Sequence, residues 1–379
     1  MINQPPASIC VVLTSPLVLN AFLLNHLHAL VEHFRVTVCV NTEDTPVSHQ
    51  LDPRVELLHL PIVRPIDLMR DLRALFWLIQ LFRSQRYDAV HSVTPKAGLL
   101  AMLAGRLCGV RLRTHIFTGQ VWATRRGFSR ALLRRMDQLI ATCATDLLAD
   151  SVSQARFLEE EGVCPPERVQ VFGAGSISGV DLARFSPEPG RRERVRAALG
   201  VPLQAPLFLF LGRVQRDKGI AILAEAFAQL AARHVAPHLL LVGPDEDGLS
   251  DVIRSSVPGR CHVVGLTSQP EDYIDAADVL CLPSFREGFG SVVIEAAALG
   301  RATVASRIYG LTDAVIDGQT GLLFPPGDVA ALTQALEQTL DPALRERMGQ
   351  QARLRAHADF GMDAVTGHWL AFYQRHLGR

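Results

Sequence analysis

The feature that most constrains this chain is an alternation of short apolar stretches with longer amphipathic ones, begun near Ser8 and begun afresh near Leu207. Short apolar runs bounded by turn residues read as strands buried on both faces, and the stretches of helical period between them read as crossovers. That alternation argues for parallel sheets built from βαβ units. In the first series, strands are expected over Ser8–Leu13, Arg35–Asn41, Val55–Leu60, Ala89–Ser92, Leu112–Phe117, Leu147–Asp150 and Val169–Phe172. Helices are expected over Leu17–His33, Ile66–Ser84, Gly98–Cys108, Ser129–Cys143 and Ser153–Glu161. The second series places strands at Leu207–Gly212, Leu239–Val242, Cys261–Val264, Val279–Leu282 and Thr303–Ser306. Its helices are expected over Ile220–Ala232, Pro270–Ala276, Gly290–Leu299 and Val329–Leu340. Gly, Ser, Pro and Arg accumulate over residues 173–200, which reads as the seam. Two doubly wound halves joined there would leave a ligand cleft at the carboxyl ends of their strands.

A chain of 379 residues exceeds one ordinary core, in keeping with two domains. Its seven cysteines form no C-x-x-C pair, so buried free thiols in a reducing compartment are expected. Met1–Ser8 is polar and proline-bearing, unlike a secretory leader. The longest apolar stretches, Ala74–Phe82 and Leu13–Val31, are too short or too broken to cross a bilayer. The expectation is a cytoplasmic protein, soluble or peripheral on the inner face of the membrane. Net charge is zero but uneven: residues 1–150 hold 16 Lys and Arg against 11 acids, and eight arginines fall between Arg106 and Arg135 with no acid among them.

The sharpest local feature is Ser284-Phe285-Arg286-Glu287-Gly288-Phe289-Gly290-Ser291, between an expected strand and a helix carrying Glu295. Its glycines let backbone approach a ligand, and the free N–H groups of a helix start favour phosphate. A carboxylate accepts hydrogens from two hydroxyls, so sugar and ribose diols suit Glu287 and Glu295. A glycine turn with two surface glutamates is the plain alternative for that spacing taken alone. Upstream, Arg213 and Lys218-Gly219 follow the strand Leu207–Gly212, where a guanidinium fork and a point charge suit a diphosphate.

These phrases resemble the retaining GT-B glycosyltransferases of family four (glycosyltransferase group 1). The match extends through Asp278 and Val279–Pro283, Ser306–Asp313 and Asp317–Leu323. The resemblance implies an α/β GT-B fold, two Rossmann-like domains facing across a cleft. An acceptor-binding domain is expected over 1–185, a nucleotide-sugar domain over 186–360, and a helix over 361–379 crossing back to the first. It also implies a nucleotide-diphosphate donor, UDP-linked, with Glu287 on the donor sugar and Glu295 on ribose. Arg213 and Lys218 would hold the diphosphate, and Gly265, Leu266, Gly288, Phe289, Gly290 and Ser291 complete the expected donor set.

The amino-terminal half departs from the family in one respect: Thr14-Ser15-Pro16 stands where a glycine-rich loop is common. The phrases His91–Gly98, Thr114–Gly119 and Gly175–Leu182 resemble the subset that extends polyprenyl-diphosphate-linked saccharides. A saccharide acceptor, lipid-linked, is therefore expected. His115 is a candidate to hydrogen-bond the transferred sugar, or a satisfied structural histidine; His91 reads as structural. Lys96 could meet acceptor phosphate or be solvated.

Asp245-Glu246-Asp247 has the D-x-D spacing of metal-dependent transferases, but it sits in a Gly-Pro loop and is read as loop. No metal or resident cofactor is expected, because cations and a helix start are available for the diphosphate. The stretch Arg106–Arg135 is read as a surface for anionic lipid, or else a solvated face, and not as a nucleic-acid patch. The same residues leave two other functions open: a nucleotide-sugar 2-epimerase of this fold, and a non-catalytic nucleotide-sugar sensor.

Overall fold

The computed structural model describes residues 6–43, 45–63 and 65–378. The chain forms two compact units, Met1–Ser178 with Met362–Arg379, and Gly179–Gly361. The sequence reading divides it instead at 185/186 and 360/361.

The first unit holds a parallel sheet of β1 (Ser8–Val12), β2 (Arg35–Val40), β3 (Glu56–His59), β4 (Ala89–Val93), β5 (Leu112–Phe117), β6 (Asp146–Ala149) and β7 (Val169–Gln170). Their order is β3-β2-β1-β4-β5-β6-β7, with Ile9 opposite Val36 on one side and Ala89 on the other. Strands β1 and β4 are buried along their whole length because helices cover both faces, which is why they read as continuous apolar runs. Ala74, Leu78 and Phe82 of the helix Leu68–Gln85 share one core with Ala97, Ala101 and Ile140. The other core joins Leu23, Leu27 and Leu30 to Trp369, Phe372 and Tyr373 of the helix Met362–Leu377. The carboxyl-terminal helix thus completes the first unit.

The second unit holds β8 (Leu207–Leu211), β9 (His238–Val242), β10 (Cys261–Val264), β11 (Val279–Leu282), β12 (Ala302–Ser306) and β13 (Gly321–Phe324). The order is β10-β9-β8-β11-β12-β13, again all parallel. Both sheets have the Rossmann-like order, reversing direction at β1/β4 and at β8/β11.

The structure departs from the sequence expectation in several places: β13 and the helices Ser250–Ser256, Leu311–Ala314 and Pro342–Asp359 were not expected, and two expected segments differ in form. The first helix is not uniform: Pro16–Val18 and Leu24–Val31 are α-helical, with a π-turn over Leu19–Leu23 between them. The 173–200 seam is shorter than its composition suggests, because Arg191–Leu199 is a helix. Its arginines made it look like linker, yet Arg196 is 1% exposed and donates to four carbonyls and to Asp278.

Candidate active site

The carboxyl ends of β8 and β11 are neighbours in the second sheet, and the strand order reverses between them. Doubly wound sheets bind ligands at such a switch point. Arg213 and Lys218 follow β8, and Ser284 to Ser291 follow β11, so topology brings these two phrases to one place. Gly219 lets the two loops touch: a Cβ there would lie 2.0 Å from the Pro283 carbonyl, and its φ of +72° favours glycine.

Lys218 donates from Nζ to Glu287 Oε1 at 2.7 Å, and Ser284 Oγ donates to the same oxygen at 2.8 Å. Both members of the ion pair are largely buried, at 13% and 16% side-chain exposure, so the pair is shielded more than a surface one. Glu287 Oε2 has no hydrogen bond among the described residues. Arg213 is more open and approaches Glu246 at 3.5 Å.

The helix Ser291–Ala298 starts from Gly290, whose φ is +83°. The leading N–H groups of a helix lack partners within it, so Ser291 sits where an anion is favoured. Glu295 lies one turn further along; burial pushes its carboxyl up to about 7, against the pull of Arg184, with Glu271 adding to the rise. The Phe289 side chain is 2% exposed and packs on Phe360, which leaves its backbone as the group able to meet a ligand. Gly265 and Leu266 follow β10 in an exposed loop, with Leu266 82% exposed.

The D-x-D carboxylates accept from backbone, Asp245 within its own loop and Asp247 from the loop after β8. Asp245 accepts from the N–H groups of Leu249 and Ser250, Asp247 from that of Arg216, and Glu246 from Gln215.

In the first unit, His115 lies inside β5 and is 1% exposed. Its Nδ1 pairs with Ser92 Oγ at 2.8 Å, and burial holds the imidazole at about 3, so it is neutral at physiological pH. Gly98 makes room for the ring, since a Cβ there would meet His115 Cε1 at 2.4 Å. His91 bonds to the Tyr373 hydroxyl at 2.7 Å. At the switch point of this sheet Thr14 and Thr94 join their hydroxyls at 2.8 Å. Lys96 is held by Asp71 at 2.7 Å and by the Pro65 carbonyl.

Of the arginines of 106–135, Arg111, Arg125, Arg126 and Arg135 are exposed, and the four others have partners within the first unit. Arg106 donates to the Thr142 carbonyl, Arg113 to those of Cys143 and Val110, and Arg130 and Arg134 pair with Glu161. Along the helix that carries Arg130 and Arg134, Leu132 and Leu139 are each 43% exposed, while Leu133 packs partly on the core.

The description "Glycosyl transferases group 1" matches residues 191–355, and "Glycosyl transferase 4-like domain" matches 20–175. A D-inositol 3-phosphate glycosyltransferase of Arthrobacter is 32% identical over 365 residues, covering 90% of this chain and 82% of the relative. The chain belongs to the glycosyl transferases group 1 family. The glycosyltransferase is also 28% identical to the capsular polysaccharide biosynthesis glycosyltransferase CapM of Staphylococcus aureus, over 85% of this chain and 86% of CapM. An Escherichia coli UDP-Gal:alpha-D-GlcNAc-diphosphoundecaprenol alpha-1,3-galactosyltransferase is 25% identical over 82% of this chain and 81% of its own. HepE of Anabaena, solved in complex with UDP-glucose, superposes with a TM-score of 0.79 at 19% identity, covering 97% of this chain and 99% of HepE. That likeness shows the fold, GT-B.

Two polar residues of this glycosyltransferase escaped the sequence reading. Ser284, fully buried, steadies Glu287, and only its place within the β11 phrase hinted at it. Asp150, just past β6, is 5% exposed with Oδ1 unpartnered, and burial pushes its carboxyl up to about 8. An aspartate closing an expected strand was the one available signal.

Proposed function

We propose that this glycosyltransferase moves a sugar from a UDP-sugar onto a polyprenyl-diphosphate-linked saccharide, with retention at the anomeric carbon, in assembly of a surface glycan. The observation that carries the donor side is the Lys218–Glu287 pair at the switch point, beside the start of the Ser291–Ala298 helix. Glu287 Oε2 is available to a donor-sugar hydroxyl, and Glu295 to the ribose diol. Arg213, Lys218 and the N–H groups at Gly290 and Ser291 stabilise charge on the departing diphosphate. The bond from anomeric carbon to phosphate oxygen breaks, the acceptor oxygen bonds to that carbon, and its proton passes to the leaving phosphate. His115 is assigned as a neutral hydrogen-bonding group toward a sugar hydroxyl. The acceptor assignment is supported by the diphosphoundecaprenol substrate in the name of the E. coli relative. No metal is assigned a role.

The test is thermal stabilisation by UDP-, GDP- and dTDP-sugars, then turnover with a lipid-linked acceptor in excess EDTA. Selective stabilisation by a UDP-sugar and an undiminished rate are expected. A rate abolished by EDTA and restored by Mg²⁺ would reassign the diphosphate to a metal.

An anionic leaflet is the surface proposed for such an acceptor. No helix among the described residues is long and apolar enough to cross a membrane. The first unit instead bears an apolar ridge where the helix Leu68–Gln85 begins: Ile66 71%, Leu68 71%, Met69 72%, Leu72 52% and Phe76 61% exposed. Phe128, 81% exposed, opens the helix Gly127–Cys143. Exposed Arg70, Arg73, Arg125 and Arg126 accompany them. Apolar side chains entering a headgroup layer beside basic ones is the pattern of interfacial helices. Vesicles of anionic lipid should therefore sediment the protein, and Leu72→Ser with Phe76→Ser should cut binding about tenfold. Equal sedimentation of the variant would return the ridge to a solvated face.

A further inference from the structure

The Lys218–Glu287 pair has a second ion pair immediately beside it. Asp217, one residue before Lys218, accepts from Arg286, one residue before Glu287, with Nη2 to Oδ2 at 2.8 Å. The Phe285 N–H donates to the Asp217 carbonyl at 2.9 Å, so backbone and side chain of Asp217 both hold the β11 loop. Arg286 and Asp217 are 18% and 26% exposed. We propose that Asp217 and Arg286 are positioning residues that fix the register of the two donor-side loops, keeping Lys218 and Glu287 together for the donor.

The order of charges specifies the register. One loop reads acid then base, the other base then acid, so the observed register pairs opposite charges at both positions. A slip of one residue would set Asp217 against Glu287, or Lys218 against Arg286. Like charges at close range are repulsive, and such a pattern disfavours the alternative alignment as well as favouring the native one. Four charges in two adjacent pairs, mostly withdrawn from solvent, are screened less than a lone surface bridge. The alignment matters because Glu287 Oε1 is already taken by Lys218 and Ser284, which aims the other oxygen at a fixed place. Orientation to within a fraction of an ångström is what a displaced carboxylate loses.

The inference rests on the donor reading, so its test has one arm without ligand. In the ligand-free protein, Arg286→Gln and Asp217→Asn should each speed amide hydrogen exchange across 284–290 about tenfold, with the thermal midpoint held within a degree or two. With a UDP-sugar, each should lower kcat/KM about tenfold, mostly through kcat. The exchanged pair Asp217→Arg with Arg286→Asp should recover exchange and turnover to within about threefold of wild type. Exchange within twofold of wild type in both single variants would overturn the clamp. So would an exchanged pair no better than the worse single. Faster exchange in a protein that no nucleotide sugar stabilises would uphold the clamp and overturn the donor reading instead.

Discussion

Lys218→Ala should lower kcat by about 10²–10³-fold, the usual loss when one preorganised group aimed at a leaving group is removed. The structure makes this a sharper test than the motif alone, because Lys218 touches Glu287 at 2.7 Å. Two accounts of the loss are then possible. Lys218 could act on the diphosphate, or it could serve only to hold Glu287. A cycle with Glu287→Gln separates them, since residues acting solely through each other show one loss, not two. If Lys218 meets phosphate while Glu287 meets the sugar, the double variant should be about tenfold or more below either single variant. Lys218→Arg should keep more activity than Lys218→Ala, because the charge remains while the geometry changes. The assay is turnover of UDP-sugar with a lipid-linked acceptor at saturating donor. A loss below about tenfold for Lys218→Ala, with Glu287→Gln equally mild, would remove both from the chemistry.

How much of this was legible beforehand follows from what each residue's signal depends on. All strands but β13 were readable: strands covered on both faces must be apolar along their length, and β1, β4 and β9 are buried at every position, whereas β13 is only partly buried. The gathering of Lys218 and Glu287 was readable through topology, since βαβ order sends the loops after β8 and β11 to one switch point, whereas Arg213 approaches Glu246. The contacts within that place were not. Nothing in the spacing indicates that Lys218 rests on Glu287, that Ser284 shares the same oxygen, or that Asp217 and Arg286 pair alongside. Side-chain partners across loops some 70 residues apart depend on close backbone approach, here at Gly219, and periodicity carries no information about that. The partners within the arginine-rich stretch were hidden for a related reason. Composition does not say which arginines are spent inside the fold, and the folded chain uses Arg106 and Arg113 on backbone carbonyls. The helix Arg191–Leu199 was missed because its buried side chains are guanidinium groups, which hydropathy reads as solvent-facing.

That helix supplies the largest stability effect expected from the structure. Asp278→Ala should destabilise the second unit by about 3–5 kcal/mol, the range for breaking a buried ion pair from one side. The Arg196 guanidinium is the reason. It is buried to 1% exposure, with Nη2 on Asp278 Oδ2 at 2.7 Å, and cannot shed its proton. Asp278 also accepts from Arg192 at 2.7 Å and from the Leu207 N–H at 2.8 Å, so it ties the helix to the starts of β8 and β11. Burial alone would raise the Asp278 carboxyl, but Arg192, the Leu207 N–H and Arg196 outweigh it and hold the group below the usual carboxylate range. A depressed folded value means the stabilisation is present above the unfolded value near 4 and fades as pH falls below it. At neutral pH the loss converts to a melting shift of roughly 10 °C for a unit of this size. Arg192→Gln should cost much less, because Arg192 is more exposed and Asp278 keeps its buried partner. Replacing both Arg196 and Asp278 with apolar residues should cost less than Asp278→Ala alone, since no buried charge is left unpaired. Calorimetry of the three variants decides it. A shift of only a degree or two for Asp278→Ala would mean that Arg196 is held by its four carbonyls, and that the helix docks without the carboxylate.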